Sequence, residues 1–341
     1  MEEKTVKKPN SVFDIAKLIL CITVVNIHSW FLPKWLFPLA RLAVPVFFMI
    51  SAYFFFLKTG RCNGNTESEK NALKDFIKHN LQLYLFWFIA LLPFTLKIKG
   101  WFENKNALLG IIKMTRDIIF GSSFRASWFI MALVIATFIV YYASKLVDNR
   151  VLLVLAILIY AAVTLYSSYY VKFDDIEIVH SFVKRYNLVF GNSYNSYPVA
   201  LIWVVCGKCF ADKTFSPSFK KSIPVLVVSL AFLYAEWCCV KKIGGGYNND
   251  CYFMLLPASV ALFGILCNIK PFAVKGSLTM RKMSTLIYAL HATAVTIVRE
   301  YTGSKNNFFV FVVVISFCCA VCAVFFLLER FKPFRWLKYS H

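Results

Sequence analysis

The chain has 341 residues and carries 38 Lys and Arg against 17 Asp and Glu, a formal net charge of +21, yet 59% of it is apolar and 18% aromatic, with a mean hydropathy of +0.64. A soluble nucleic-acid binder could hold that charge but not that much apolar side chain, since globular chains run to about 45–50% apolar, and a disordered basic tail fails for the same reason. What remains is an all-α, polytopic membrane protein whose apolar residues face lipid and whose cations sit in loops at the headgroups.

Ten apolar stretches follow in chain order, near 12–30, 38–57, 79–96, 127–144, 151–169, 198–211, 222–240, 251–268, 283–301 and 307–329. Each approaches the roughly 20 residues that span a bilayer as a helix. The runs are continuous rather than alternating, which predicts a bundle of about ten helices and not a barrel. The second and tenth are the clearest. The sixth, Pro198 to Ala211, is short and contains Lys208, so it is expected to be broken or tilted. Between spans, 60–75 reads as a polar, mobile loop, 106–120 as an amphipathic helix on the interface, and Gly244 to Asp250 as a flexible turn.

With the N-terminus placed inside, alternate loops carry 22 cations against 14 in the opposite set, while Lys17 and Arg41 lie within spans. That bias predicts both termini in the cytoplasm and location in the cytoplasmic (inner) membrane. The first stretch contains Asp14 and Lys17 and runs into Pro33 and Pro38, so it reads as a retained span rather than a cleaved signal. All eleven cysteines except Cys62 lie in or beside apolar segments, which predicts reduced, packed thiols. The CxxC pairs Cys206/Cys209 and Cys319/Cys322 have no His close in sequence, so no metal is expected.

Ionisable groups inside spans usually face the bundle interior and have a task. Asp14, Lys17, Cys21, Val25 and His28 fall within about 80° of one another on a helix and form a stripe roughly 21 Å long. The bland alternative is an Asp14–Lys17 pair at one end and a capping His28 at the other. Arg41 opens the second span after a short connection, which brings a potential base and a fixed cation to one depth, although an Arg there can also snorkel to phosphates. Ser284, Tyr288 and His291 share a helix face, with Thr285 beside them, and could equally be satisfied core groups. Glu236, with Asn248, Asn249 and Asp250 after it, suggests a site without identifying its chemistry.

In this order the residues resemble the integral-membrane acyltransferase family three, whose members move acyl groups, most often acetyl, onto hydroxyls of cell-surface glycans. The resemblance rests on FDIAKLILCITVVNIHSW ending in His28, ARLAVPVFFMISAYFF with Arg41 and Ser51, SWFIMAL around Trp128, and MSTLIYALHA with Tyr288 and His291. It covers nearly the whole chain, read as a single integral-membrane acyltransferase domain over 1–341 without an appended soluble domain. Ala52 departs from the pattern, where the family commonly has Gly after the Ser.

The chemistry stands beside that resemblance. Acyl transfer from a thioester to a hydroxyl needs a base with a pKa near neutrality, and His28 suits it. A developing oxyanion, or the phosphates of the donor, needs a cation that burial cannot discharge, which Arg41 supplies. Asp14, Lys17, Ser51, Trp128, Glu236, Ser284, Tyr288 and His291 are then expected to position donor or acceptor. The expected partners are an acyl-CoA (acetyl-CoA) co-substrate, a glycan acceptor and membrane lipid, with no bound cofactor and no nucleic acid. The competing reading is a transporter or flippase for a glycan or anionic substrate, against which stands the lack of an internal repeat.

Overall fold

The computed structural model describes residues 11–103, 106–173, 175–245 and 249–341. Asn248, singled out above, and the three lysines of the N-terminal tail lie outside the described residues. Among those described there is no strand. Fourteen α-helices follow one another: α1 (Val12–Ser29), α2 (Phe37–Ala40), α3 (Ala43–Gly60), α4 (Thr66–Ala90), α5 (Leu92–Lys99), α6 (Ala107–Ile119), α7 (Ser127–Ala143), α8 (Asn149–Ser168), α9 (Glu177–Phe190), α10 (Tyr197–Ala211), α11 (Phe219–Lys242), α12 (Leu255–Asn268), α13 (Ser277–Thr302) and α14 (Asn307–Leu328). Each of the ten predicted stretches coincides with helix. By length and apolarity five segments can cross a membrane, namely α1, residues 34–60, α8, α11 and α14, and α4 with α5 makes a sixth if that bent pair is one span.

The helix starts follow local chemistry. Asn65, Asn106, Asp148 and Asn306 each accept a backbone N–H of the first turn of α4, α6, α8 and α14. Pro38, Pro93 and Pro198 stand in the first turn of α2, α5 and α10, where the missing N–H costs nothing.

Four expectations change. The 60–75 segment is not a loop throughout: α4 begins at Thr66, because Asn65 caps it and ion pairs Lys58–Asp75 (3.5 Å) and Lys145–Glu69 (3.0 Å) tie its polar first turns to neighbouring helices. The second stretch breaks between α2 and α3, which leaves Arg41 in a turn. The third bends by 74° at Leu91, where Pro93 cannot donate to the preceding turn. The sixth, α10, is an unbroken helix with 12 of its 15 residues buried. It packs among α3, α7 and α8, so it is apolar all round because protein surrounds it. Lys208 escapes at its end to Asn149 (2.7 Å) and Asp212. One helix, α9, was not foreseen; its apolar residues Ile178, Phe182, Leu188 and Val189 are exposed. The amphipathic α6 forms as expected, with Leu108, Leu109, Ile111 and Ile112 exposed.

Two apolar cores share α3. One joins it to α7, α8, α10 and α12, and the other joins it to α1, α4, α13 and α14. Within the second, α1 and α13 run parallel, as shown by contacts in the same order along both: Asp14 with Arg281, Cys21 with Ser284, His28 with His291, and Ser29 with Arg299. The stripe read from α1 is therefore the face that α1 turns to α13.

Candidate functional site

Two cavities adjoin that helix pair. At the end where α1 begins, about 530 Å³ is lined by Asp14 and Lys17 of α1, Ser51 of α3, His79 and Asn80 of α4, and Arg281, Ser284 and Tyr288 of α13. The carboxylate of Asp14 is buried and accepts Arg281 Nε at 2.7 Å and Nη2 at 3.2 Å. Arg281, and not the Lys17 of the bland reading, is thus its partner. Lys17 faces the same space, so the described lining of the cavity carries Lys17 and Arg281 against the one carboxylate side chain of Asp14.

At the other end a cavity of about 400 Å³ is lined by Lys99, Ser122, Ser123, Arg125, Trp128, Asn192, Asn195 and Thr293, together with apolar side chains. A narrower recess of about 70 Å³ adjoins it through Trp128 and Asn195 and is lined by Arg41, Asp250, Phe48, Tyr160 and Trp203. Arg41 forms an ion pair there with Asp250. Asp250, the acidic residue noted beside Glu236, is hence the counter-ion of Arg41.

Between the cavities lies an aromatic layer. Phe129 stands 4.3 Å from Phe48 and 5.2 Å from Tyr288, and Phe47 stands 6.1 Å from Tyr288, ring centre to ring centre. Tyr288 is 5.6 Å from His291, which in turn is 5.0 Å from His28. The order Tyr288, His291, His28 therefore leads from the wall of the first cavity through the layer. Thr293, two residues beyond His291, lines the second cavity.

The two imidazoles differ. His291 is 1% exposed, and its Nδ1 lies 2.6 Å from the carbonyl oxygen of Tyr288. A carbonyl only accepts, so Nδ1 carries the proton and Nε2 presents a lone pair; that buried Nε2 has no hydrogen-bond partner among the described residues. His28 is exposed at the far end of α1. The charged groups whose fields reach it are Arg41 and Arg125.

The structure thus brings His28, His291 and Tyr288 together, with Arg41 and Trp128 on the far side and Asp14, Lys17, Ser51 and Ser284 on the near side. Ser284 is buried and donates to the carbonyl of Arg281 (2.7 Å), the ordinary behaviour of a helical Ser. Glu236 stands apart: its carboxylate accepts Phe253 N (2.7 Å), Met254 N (2.8 Å) and Tyr169 Oη (2.9 Å), all at the approach to α12. Those bonds tie down the turn that leads into α12, and among the described residues no bond joins Glu236 to the histidines. Sequence reasoning passed over Arg281 and Arg125. Arg281 stands three residues before Ser284, on the face already singled out, and Arg125 immediately precedes the SWFIMAL motif.

Comparison with known proteins places this arrangement. A family model described as an acyltransferase domain, acyltransferase family three, matches residues 10–329. Two curated proteins of Enterococcus faecalis, both named amino-acid racemase, are similar: one is 27% identical over 272 residues, covering 75% of this chain and 36% of the relative, and the other 24% identical over 332 residues, covering 90% and 45%. The chain therefore spans less than half the length of the curated relatives it matches. No solved structure matches. The apolar helices and the family model together make this an integral membrane protein, and the chain belongs to acyltransferase family three.

Proposed function

We propose that this membrane acyltransferase moves an acyl group, acetyl first among candidates, from acyl-CoA to a hydroxyl of a cell-surface glycan or its lipid-linked precursor, with His28 as general base. The observation that carries the reading is the His28–His291 pair, 5.0 Å apart, beside an aromatic layer that divides two polar cavities. The donor enters the cavity of Lys17 and Arg281, whose cations suit its phosphates, and both chain ends lie in the cytoplasm of a cell whose inner membrane holds the protein. The acceptor enters the opposite cavity.

In the transfer, His28 takes the proton of the acceptor hydroxyl as its oxygen attacks the thioester carbonyl carbon. The carbon–sulfur bond then breaks, and the proton passes to the departing CoA sulfur. Arg41 stabilises the oxyanion between those two events. Its ion pair with Asp250 holds the guanidinium in place and tempers its charge. His291, neutral with its lone pair on Nε2, orients His28 or the acceptor hydroxyl. Tyr288 and Ser51 shape the donor path, and Trp128 offers an apolar face to a sugar ring. The role of Glu236 is to hold the start of α12.

The relatives' name, amino-acid racemase, is not carried to this chain. The acyltransferase model covers residues 10–329, whereas each relative has more than half of its length outside the shared region. Two cavities meeting at a barrier would also suit a transporter, and consumption of the thioester separates the two readings.

The test is the O-acetyl content of surface glycan, read by proton NMR, in cells with wild-type protein, His28→Ala or none. The expected result is signal with wild type and its loss by a factor of about 10²–10⁴ in initial rate in His28→Ala at equal membrane abundance. Unchanged signal in the variant removes His28 as base, and equal signal in wild-type and empty cells removes the acetyl–glycan assignment.

A further inference from the structure

The second cavity has a charge character that the transfer reaction does not require. Among its described lining residues two are cationic, Lys99 and Arg125, six carry neutral hydroxyl or amide groups, Thr95, Ser122, Ser123, Asn192, Asn195 and Thr293, and none is acidic. Lys99 is partly answered by Asp117 at 3.5 Å. That carboxylate is buried and further engaged by Trp101 Nε1 (2.9 Å) and Arg116 (2.8 Å), so it fixes Lys99 at the wall without cancelling the site's charge. Arg125 is exposed and forms no ion pair with any described carboxylate.

Its position is built in. The turn before α7 is closed by Ser127, whose hydroxyl takes the N–H of Phe124 at 3.1 Å and donates to the carbonyl oxygens of that turn. Gly121 (φ +78°) packs so closely on the helix that a Cβ would lie 2.7 Å from Met131 Cβ and 3.0 Å from Trp128 Cα. Arg125 is thus carried on a rigid turn, three residues before Trp128 on the wall of the same cavity.

An exposed guanidinium carried on a rigid turn, a tethered ammonium, neutral polar groups and an indole face match a sugar that bears both hydroxyls and a negative charge. The geometry points to an anionic glycan unit, a carboxylated or phosphorylated sugar, as the acceptor, with Arg125 as the residue that selects it. This rests on the acyltransferase reading above and names the acceptor class for that site.

The test uses full-length protein in phosphatidylcholine nanodiscs, with binding of methyl β-D-glucuronide, glucose 1-phosphate and uncharged methyl β-D-glucoside followed by calorimetry. At least one anion is expected to bind more tightly than the glucoside, and the tighter anion identifies the charged group. Arg125→Gln should weaken that anion by about tenfold or more, as for one charge-assisted hydrogen bond, with little change for the glucoside, and Arg125→Lys should recover part of the loss. Melting temperatures of the variants check the fold. Equal binding of charged and uncharged sugars, or an Arg125→Gln variant that keeps the preference, overturns the proposal. So does loss of sugar binding in discs containing phosphatidylglycerol, which would give the cations to a lipid headgroup. Acetyl-CoA consumption is measured separately. Anion selectivity without turnover refutes only the acyltransfer reading, and turnover with a neutral sugar but no anion preference refutes only this one.

Discussion

Gly207 of α10 faces the middle of α3, and replacing it with Ala tests whether the contact between these two helices, within the first core, depends on close backbone approach. A Cβ there would lie 2.7 Å from the carbonyl oxygen of Met49, 2.8 Å from Ala52 Cβ and 3.2 Å from Met49 Cα. Ordinary contact needs about 3.4 Å or more, so the helices must part by roughly 0.6–0.7 Å, and none of these atoms is the free end of a flexible side chain. Overpacking of this kind costs about 1–3 kcal/mol. Two of the three clashes are with backbone atoms, which places Gly207→Ala in the upper part of that range. Removing the Ala52 methyl relieves only one clash, while Ala52→Gly alone should cost about 1–2 kcal/mol, because Ala52 is fully buried inside α3 and Gly is a poor helix former. The loss in the double variant should therefore be smaller than the sum of the two single losses, by about a third of the Gly207→Ala loss. Thermal unfolding in detergent, followed by tryptophan fluorescence for the four proteins of the cycle, measures these differences. A Gly207→Ala variant that melts with wild type, or a double variant whose loss equals the sum of the two single losses, refutes the claim that backbone proximity sets this contact.

Two further outcomes test the carboxylates of Glu236 and of the α8 cap Asp148. Glu236→Gln keeps one acceptor but turns an amide N–H toward donors that the carboxylate now accepts, so the approach to α12 should loosen at a cost of about 1–3 kcal/mol; hydrogen exchange at Phe253 and Met254 should rise, and unchanged protection would show that Glu236 is not their cap. Asp148 accepts Val151 N and Arg150 N, which hold its carboxyl below the ordinary Asp range. Its folded value is the depressed one, so its contribution is present above the unfolded value near 3.9 and is lost as pH falls through the folded value. Asp148→Asn retains an acceptor that cannot titrate, so its stability should fall less between pH 5 and pH 3 than that of wild type, measured by melting at each pH; parallel curves would refute the assignment.

The helices were legible because lipid imposes a simple rule: a backbone that cannot reach water must satisfy itself, and the side chains around it must be apolar over a bilayer's thickness. The same rule misleads where protein replaces lipid. The length and Lys208 of α10 suggested a broken span, but a helix enclosed by α3, α7 and α8 has no bilayer to match, and its lysine needs only to reach Asn149 and Asp212 at the end. Extent was also hidden where polar residues continue a helix beyond the apolar run. The polar start of α4 carries the Asn65 cap and the ion pair of Glu69 with Lys145, a partner distant in sequence and invisible to local periodicity.

The site divides along the same line. The face shared by Asp14, Lys17 and His28 was readable because 3.6-residue geometry is intrinsic to one helix, and so was the face shared by Ser284, Tyr288 and His291. Which face meets which is a tertiary fact. Parallel packing of α1 on α13 lays the first stripe along the second, and two separately weak signals become one column from the Asp14–Arg281 pair to the His28–His291 pair. The partner of Glu236 was not legible, for the converse reason. Its sequence context showed a carboxylate within an apolar helix, whereas the N–H groups that satisfy it lie 17 and 18 residues away at the approach to α12. A buried charge announces that it must have a partner. Whether that partner is a substrate or a helix end is decided by the packing that brings the partner to it.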